Sequence, residues 1–167
     1  QNLSEDSPAT LLRVVFFWYH PHMQAVILAA GRGTRMGALT ETTPKPLLQI
    51  QGKPLIEHIV ERLPEEIDEL IVVVGYLGEM IKHYCGEKFL GRPVTYVDQS
   101  APLGTFHAVS LAKELIKEGE RFFVLNSDDI HDTAGLTECL NHPRAIIVSA
   151  VDDPKPFGVV ELDEEGF

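Results

Sequence analysis

The chain has 167 residues, 44% hydrophobic and 23% charged, with a net charge of −11. That length holds one domain with a real core, and the composition is that of an ordinary globular chain. The acidic balance argues against non-specific nucleic-acid binding and against an anionic membrane surface. No apolar run approaches the roughly 18 residues that a bilayer span needs.

Residues 1–22 stand apart. Gln1 to Pro8 is polar, and Leu11 to Tyr19 is an apolar run broken by Arg13. Glu5 and Asp6 stand where a secretory signal would carry basic residues. Regular patterning starts at Met23, which reads as the natural start. Residues 1–22 then form an extension, non-native or disordered, the alternative being an arm packed on the domain. Cys85 and Cys139 match no metal-ligand spacing and demand no disulfide, so a reducing cytoplasm is the expected location.

From Gln24 the pattern alternates. Residues 25–30 are a short apolar run that reads as a buried strand. Pro54 opens a helix whose Leu55, Ile56, Ile59, Val60 and Leu63 share one face. Residues 70–75 are a second strand rich in β-branched side chains. A short helix is expected over 77–85, a strand over 94–97, a helix over 105–117, a strand over 122–125 and a helix near 134–140. Two further strands are expected at 145–150 and 159–160. Continuous apolar strands separated by helices imply an α/β fold, a three-layer α/β/α sandwich on a mostly parallel sheet. Such sheets bind ligands beyond the carboxyl ends of their strands, here after residues 30, 75, 97 and 125.

The first of these positions holds a concentration of positive charge. Between Gln24 and Lys53 stand Arg32, Arg35, Lys45 and Lys53 against one acid, Glu41. Residues 54–167 carry 9 basic and 22 acidic side chains. Glycines let backbone N–H groups approach an anion, and guanidinium groups clamp phosphate oxygens, so a polyphosphate is the natural guest. A basic but merely solvated loop is the plainer alternative. Two familiar phosphate loops fail. Gly31, Gly33 and Gly37 are spaced one residue too long for the dinucleotide fingerprint, and no helix follows directly. Gly52-Lys53 is followed by Pro54, where a P-loop needs Ser or Thr.

Leu28-Ala29-Ala30-Gly31-Arg32-Gly33-Thr34-Arg35 followed by Pro44-Lys45-Pro46-Leu47 resembles the signature of the sugar-phosphate nucleotidylyltransferases, which make nucleotide-sugars. The resemblance runs from about Met23 to Phe167 and implies a Rossmann-like domain over 23–167. Gln99 with Leu103-Gly104-Thr105 resembles the family's base-reading element, and Thr105 is also a candidate cap for the next helix. Asn126-Ser127-Asp128-Asp129 takes the place of a Gly-Asp pair whose acid binds metal, with Ser127 replacing the glycine. Phe157-Gly158-Val159-Val160-Glu161 resembles the sugar-pocket strand. The scattered histidines form no metal set, and His107 reads as a surface or packing residue.

The resemblance implies transfer of a nucleotidyl group from a nucleoside triphosphate to a sugar-1-phosphate. Leu28, Ala30, Gly31, Gly33, Gln99, Gly104 and Thr105 would bind the nucleotide, while Gly158 and Glu161 bind the sugar. Arg35 would hold the β- and γ-phosphates, Lys45 the α-phosphate, and Asp128 Mg²⁺. Gln99 favours UTP or dTTP, with GTP left open. A non-catalytic nucleotide-sugar-binding subunit of the same fold is the competing reading, and an NAD-binding module a weaker one. Family members continue past this point with a second metal-binding aspartate and a sugar-phosphate lysine, so a C-terminally truncated chain, weakly active or inactive alone, is expected. A homo-oligomer is left open.

Overall fold

A computed structural model describes residues 22–153 and Val160. Seven strands and four α-helices follow one another in it. They are β1 (Met23–Ala29), β2 (Gln49–Ile50), β3 (Lys53–Pro54), α1 (Leu55–Glu61), β4 (Ile67–Val74), α2 (Gly78–Cys85), β5 (Lys88–Phe89), β6 (Arg92–Asp98), α3 (Thr105–Ala112), β7 (Phe122–Asn126) and α4 (Thr133–Cys139). Five strands form one sheet in the order β5-β6-β4-β1-β7. The ladders β1/β4, β1/β7 and β4/β6 are parallel, and the short β5 runs antiparallel to β6. The strand order reverses around β1, which lies between β4 and β7. In such sheets the ligand crevice opens past the carboxyl ends of the strands at that reversal.

The apolar runs are continuous because both faces of the sheet are covered. Ala25, Ile27 and Ala29 of β1 pack with Ile56, Ile59 and Val60 of α1, with Ile81 of α2 and with Leu136 of α4. On the other face Val26, Ile71 and Val73 meet Ala108 and Ala112 of α3. The fold is therefore the three-layer α/β/α sandwich that the pattern implies. Gln24 is a buried polar exception, and its carboxamide is engaged at both ends. It donates to the Leu115 carbonyl (3.0 Å) and accepts from the Lys117 amide (2.9 Å). This fastens the chain just beyond α3 to the start of β1.

One helix end is held by a tertiary partner and another by a local cap. Arg92 of β6 donates to the carbonyls of Leu63, Pro64 and Ile67 beyond α1, the last at 2.6 Å. Asp132 caps α4 by accepting from the Gly135 amide (2.8 Å). The helix expected over 105–117 is α-helical to Ala112 and tightens to a 3-10 turn through Leu115. Its N-cap is Gly104, at φ 92°, not Thr105, which is already the first helical residue; no side chain caps this end.

The strand expected over 145–150 does not form. Ile146 and Val148 are 69% and 57% exposed. A strand exists only when neighbouring backbone completes its hydrogen bonds. Among the described residues the outer edge of β7 pairs with no strand, and residues 145–150 leave that edge open. Val160 is described and stands in no strand, while Val159 and the readings of residues 1–21, Gly158 and Glu161 lie outside the described residues. No helix among the described residues is long and apolar enough to cross a membrane.

Candidate active site

The chain leaves β1 into a loop held by its own side chains. Gly33 sits at φ 64°, left-handed, and the Met36 amide turns back to its carbonyl (2.9 Å). The hydroxyl of buried Thr40 donates to the carbonyls of Gly33 (3.0 Å) and Gly37 (3.2 Å). A Cβ on Gly33 would stand 2.9 Å from Thr40 Cγ2, so both backbone and packing require glycine here. At Gly31, by contrast, a Cβ would meet no protein atom within 4 Å. Arg32 turns to stack over Tyr76, 4.9 Å from the ring centre, and the Tyr76 hydroxyl donates to the Glu41 carbonyl (2.8 Å).

The Pro-Lys-Pro element makes the next wall. Pro44 and Pro46 are buried, fixing the backbone on either side of Lys45. Lys45 opens a 3-10 turn, Lys45–Leu47, and its ammonium forms an ion pair with Asp128. Asp128 lies two residues past β7. Ser127 between them is buried, and its amide bonds the Leu28 carbonyl (3.2 Å), keeping the end of β7 against β1. Asp129 turns away and accepts from Asn126 (2.8 Å).

The third wall follows β6. The Gln99 amide bonds the Val74 carbonyl (2.7 Å), continuing the sheet edge for one residue. Its side-chain NH₂ donates to the Gly104 carbonyl (3.3 Å) and lies 2.9 Å from His107 Nδ1. His107 is thus half-buried and engaged with a candidate site residue, not a plain surface or packing residue. Gly75 lets these walls meet. A Cβ there would lie 2.9 Å from the Ala30 carbonyl and 3.1 Å from that of Gln99.

These elements enclose a cleft of about 460 Å³ beyond the carboxyl ends of β1, β6 and β7. Its walls include all ten candidate residues within the described region: Leu28, Ala30, Gly31, Gly33, Arg35, Lys45, Gln99, Gly104, Thr105 and Asp128. Two cations face one carboxylate in it, so the cleft is positive within an acidic chain. A wider groove of about 740 Å³ runs along the outer edge of β7 beside α4 and is mostly apolar. It lacks the glycine loop and both cleft cations, which makes the smaller cleft the better site for an anion.

Thr40, Gly75, Tyr76 and His107 were not legible as site-building residues. The signal for Gly75 was present, since it ends a strand at a carboxyl edge. The others act through contacts that only the folded chain creates. No group of three or more His, Cys, Asp or Glu side chains among the described residues is placed to hold a metal ion. The cleft instead offers a single carboxylate, Asp128. That fits Mg²⁺, which is commonly held by one or two carboxylates together with waters and substrate phosphates.

The nucleotidyl transferase family profile matches residues 24–167. The bifunctional protein GlmU of Methanococcus maripaludis is 45% identical over 141 residues, 84% of this chain and 33% of that protein. Mannose-1-phosphate guanylyltransferase catalytic subunit beta of Dictyostelium discoideum is 36% identical over 151 residues, covering 86% of this chain and 42% of its own length. A Bacillus anthracis structure described as a glucose-1-phosphate thymidylyltransferase in complex with sucrose superposes with a TM-score of 0.75 at 27% identity, covering 85% of this chain and 61% of that one. The chain spans about a third of the length of the GlmU relatives it matches. With the profile covering most of its length and the same fold in a solved relative, the chain belongs to the nucleotidyl transferase family.

Proposed function

We propose that this chain carries the nucleotide-binding part of a sugar-1-phosphate nucleotidylyltransferase, with UTP or dTTP the favoured nucleotide and GTP the runner-up. The observation that carries the reading is the meeting of Arg35, Lys45 and Asp128 with Gln99 and Gly104 around one cleft. Relatives named for guanylyl and thymidylyl transfer support the reaction class and leave the base to this chain's own residues.

In the reaction, a sugar-1-phosphate oxygen attacks the α-phosphorus in line and pyrophosphate leaves. The attacking oxygen is already anionic, so no general base is needed, and rate comes from positioning and charge stabilisation. Gly31 and Gly33 bring bare backbone to the nucleotide, with Leu28 and Ala30 forming the floor of the cleft. Arg35 holds the β- and γ-phosphates, and Lys45 meets the α-phosphate where charge builds. Asp128 would hold Mg²⁺, which neutralises phosphate charge when bound. Gln99, Gly104 and Thr105 face the nucleoside. Gly158 and Glu161 contribute the sugar contacts in this reading.

The test is pyrophosphate release by the intact gene product across UTP, dTTP, GTP and a panel of sugar-1-phosphates. Release that requires both substrates is the expected result. Tight nucleotide binding without release for any pair would favour the non-catalytic binding subunit instead.

A further inference from the structure

We propose that His107 is a positioning residue that fixes the Gln99 carboxamide so that an acceptor faces the nucleobase, and that the cleft thereby selects bases carrying a ring N–H. The proposal rests on the reading of the cleft as a nucleotide site.

The hydrogen-bond partners set the orientation of the amide. A primary amide has one NH₂ end with two donors and one carbonyl end that accepts. The Gly104 carbonyl can only accept, and the Gln99 side-chain atom 3.3 Å from it must therefore be the NH₂ nitrogen. The opposite flip would set two carbonyl oxygens against each other. With that end fixed, the second N–H points to His107 Nδ1 at 2.9 Å. His107 must then accept at Nδ1, which requires its proton on Nε2.

Both donors of Gln99 are consumed inside the wall, and its Oε1 is left for the cleft that Gln99 lines. His107 itself does not line the cleft, so it acts through Gln99. An acceptor at this place is matched by the ring N–H of uracil, thymine or guanine. Cytosine and adenine present a bare, lone-pair-bearing nitrogen at the corresponding position, and the two acceptors would repel. Without His107 one tether of the amide is lost and the carboxamide is freer to turn its NH₂ to the cleft.

The experiment measures affinities of UTP, CTP and 3-methyl-UTP for the intact chain and for two variants, His107→Leu and His107→Asn. Asparagine can offer an acceptor near the place of Nδ1, and leucine offers none. The wild type is expected to prefer UTP over both CTP and 3-methyl-UTP by about tenfold or more, the size of one hydrogen bond made or left unmade. His107→Leu should bring the UTP-to-CTP ratio down to within about threefold, and His107→Asn should restore most of it. A purely structural His107 would weaken all nucleotides together and leave the ratio unchanged, which overturns the proposal. An imidazole ¹⁵N spectrum placing the proton on Nδ1 overturns it as well. If the wild type binds none of UTP, dTTP and GTP, the nucleotide reading itself fails and the proposal goes with it.

Discussion

Lys45 and Asp128 pair across the cleft, joining two loops that lie 83 residues apart in sequence. Their side chains keep 29% and 34% of their exposure, so solvent screens the pair. Removing one partner should cost little stability, within about 1 kcal/mol. In the proposed reaction the same change is severe. Lys45→Ala in an active full-length protein should lower turnover by about 10²-fold or more, because the charge at the α-phosphate is lost. Urea unfolding and steady-state pyrophosphate release on the same variant separate the two effects. Normal turnover from Lys45→Ala would overturn the assignment.

Two glycines of one loop should respond differently. Gly33→Ala forces a Cβ into a left-handed backbone and to within 2.9 Å of Thr40 Cγ2, so it should lower stability by about 1–2 kcal/mol. A Cβ at Gly31 meets no protein atom within 4 Å, so the side chain of Gly31→Val is expected to occupy cleft volume. It should leave the unfolding midpoint unchanged while abolishing nucleotide binding. A thermal melt with and without UTP distinguishes the pair.

Gly75→Ala is expected to wedge the β1 loop away from Gln99, since its Cβ would lie 2.9 Å from one carbonyl and 3.1 Å from the other. The expected outcome is a loss of about 1–3 kcal/mol in urea unfolding together with weaker nucleotide binding. Unchanged nucleotide affinity would show that the two walls move independently.

These positions explain what the sequence could and could not reveal. The strands β1 and β4 were legible because burial on both faces leaves an uninterrupted apolar run. The glycine loop and Pro-Lys-Pro were legible because they form a short local pattern, and the fold brings both to one cleft. Residues 145–150 look equally strand-like, yet a strand is defined by pairing, and this run pairs with nothing, leaving the edge of β7 open. The contact of His107 with Gln99 was not legible because it depends on residues 100–104 turning the chain back. Arg92 was silent because its partners, around residues 63–67, are fixed by tertiary approach alone.

Arg92→Met should expose that dependence. It removes donors from three carbonyls beyond α1 and is expected to cost about 1–3 kcal/mol. Urea unfolding measures it. Nucleotide affinity, if nucleotide binds as proposed, should hold below the transition, because Arg92 lies away from the cleft.

Alkaline conditions should destabilise the fold. Burial pushes the Cys85 thiol up to about 12. The hydrogen bond to Glu57 raises Tyr84 to about 12, and burial raises Tyr96 to about 12. All three hold their protons more tightly when folded. The unfolded chain therefore releases protons first, and stability falls as pH rises from the ordinary thiol and phenol range toward 12. Lys82, raised by its bonds to Glu79 and Asp98, adds loss in the same direction as pH rises through its folded value. Urea midpoints should decline from pH 9 upward. At pH 8 the native Cys85, buried and with its thiol pushed up, should resist iodoacetamide and react once unfolded.

The fastening at Gln24 has a mechanical consequence. Its carboxamide clamps the foot of the α3 segment at Leu115 and Lys117, while the head of α3 begins at Thr105 on the cleft wall. The helix is a beam anchored at one end to the strand that launches the glycine loop. A small tilt at the anchored foot is carried along the whole beam to Gly104 and Thr105. The spacing between the Gly104 wall of the cleft and the glycine loop is therefore set, in part, from the amino-terminal end of the central strand.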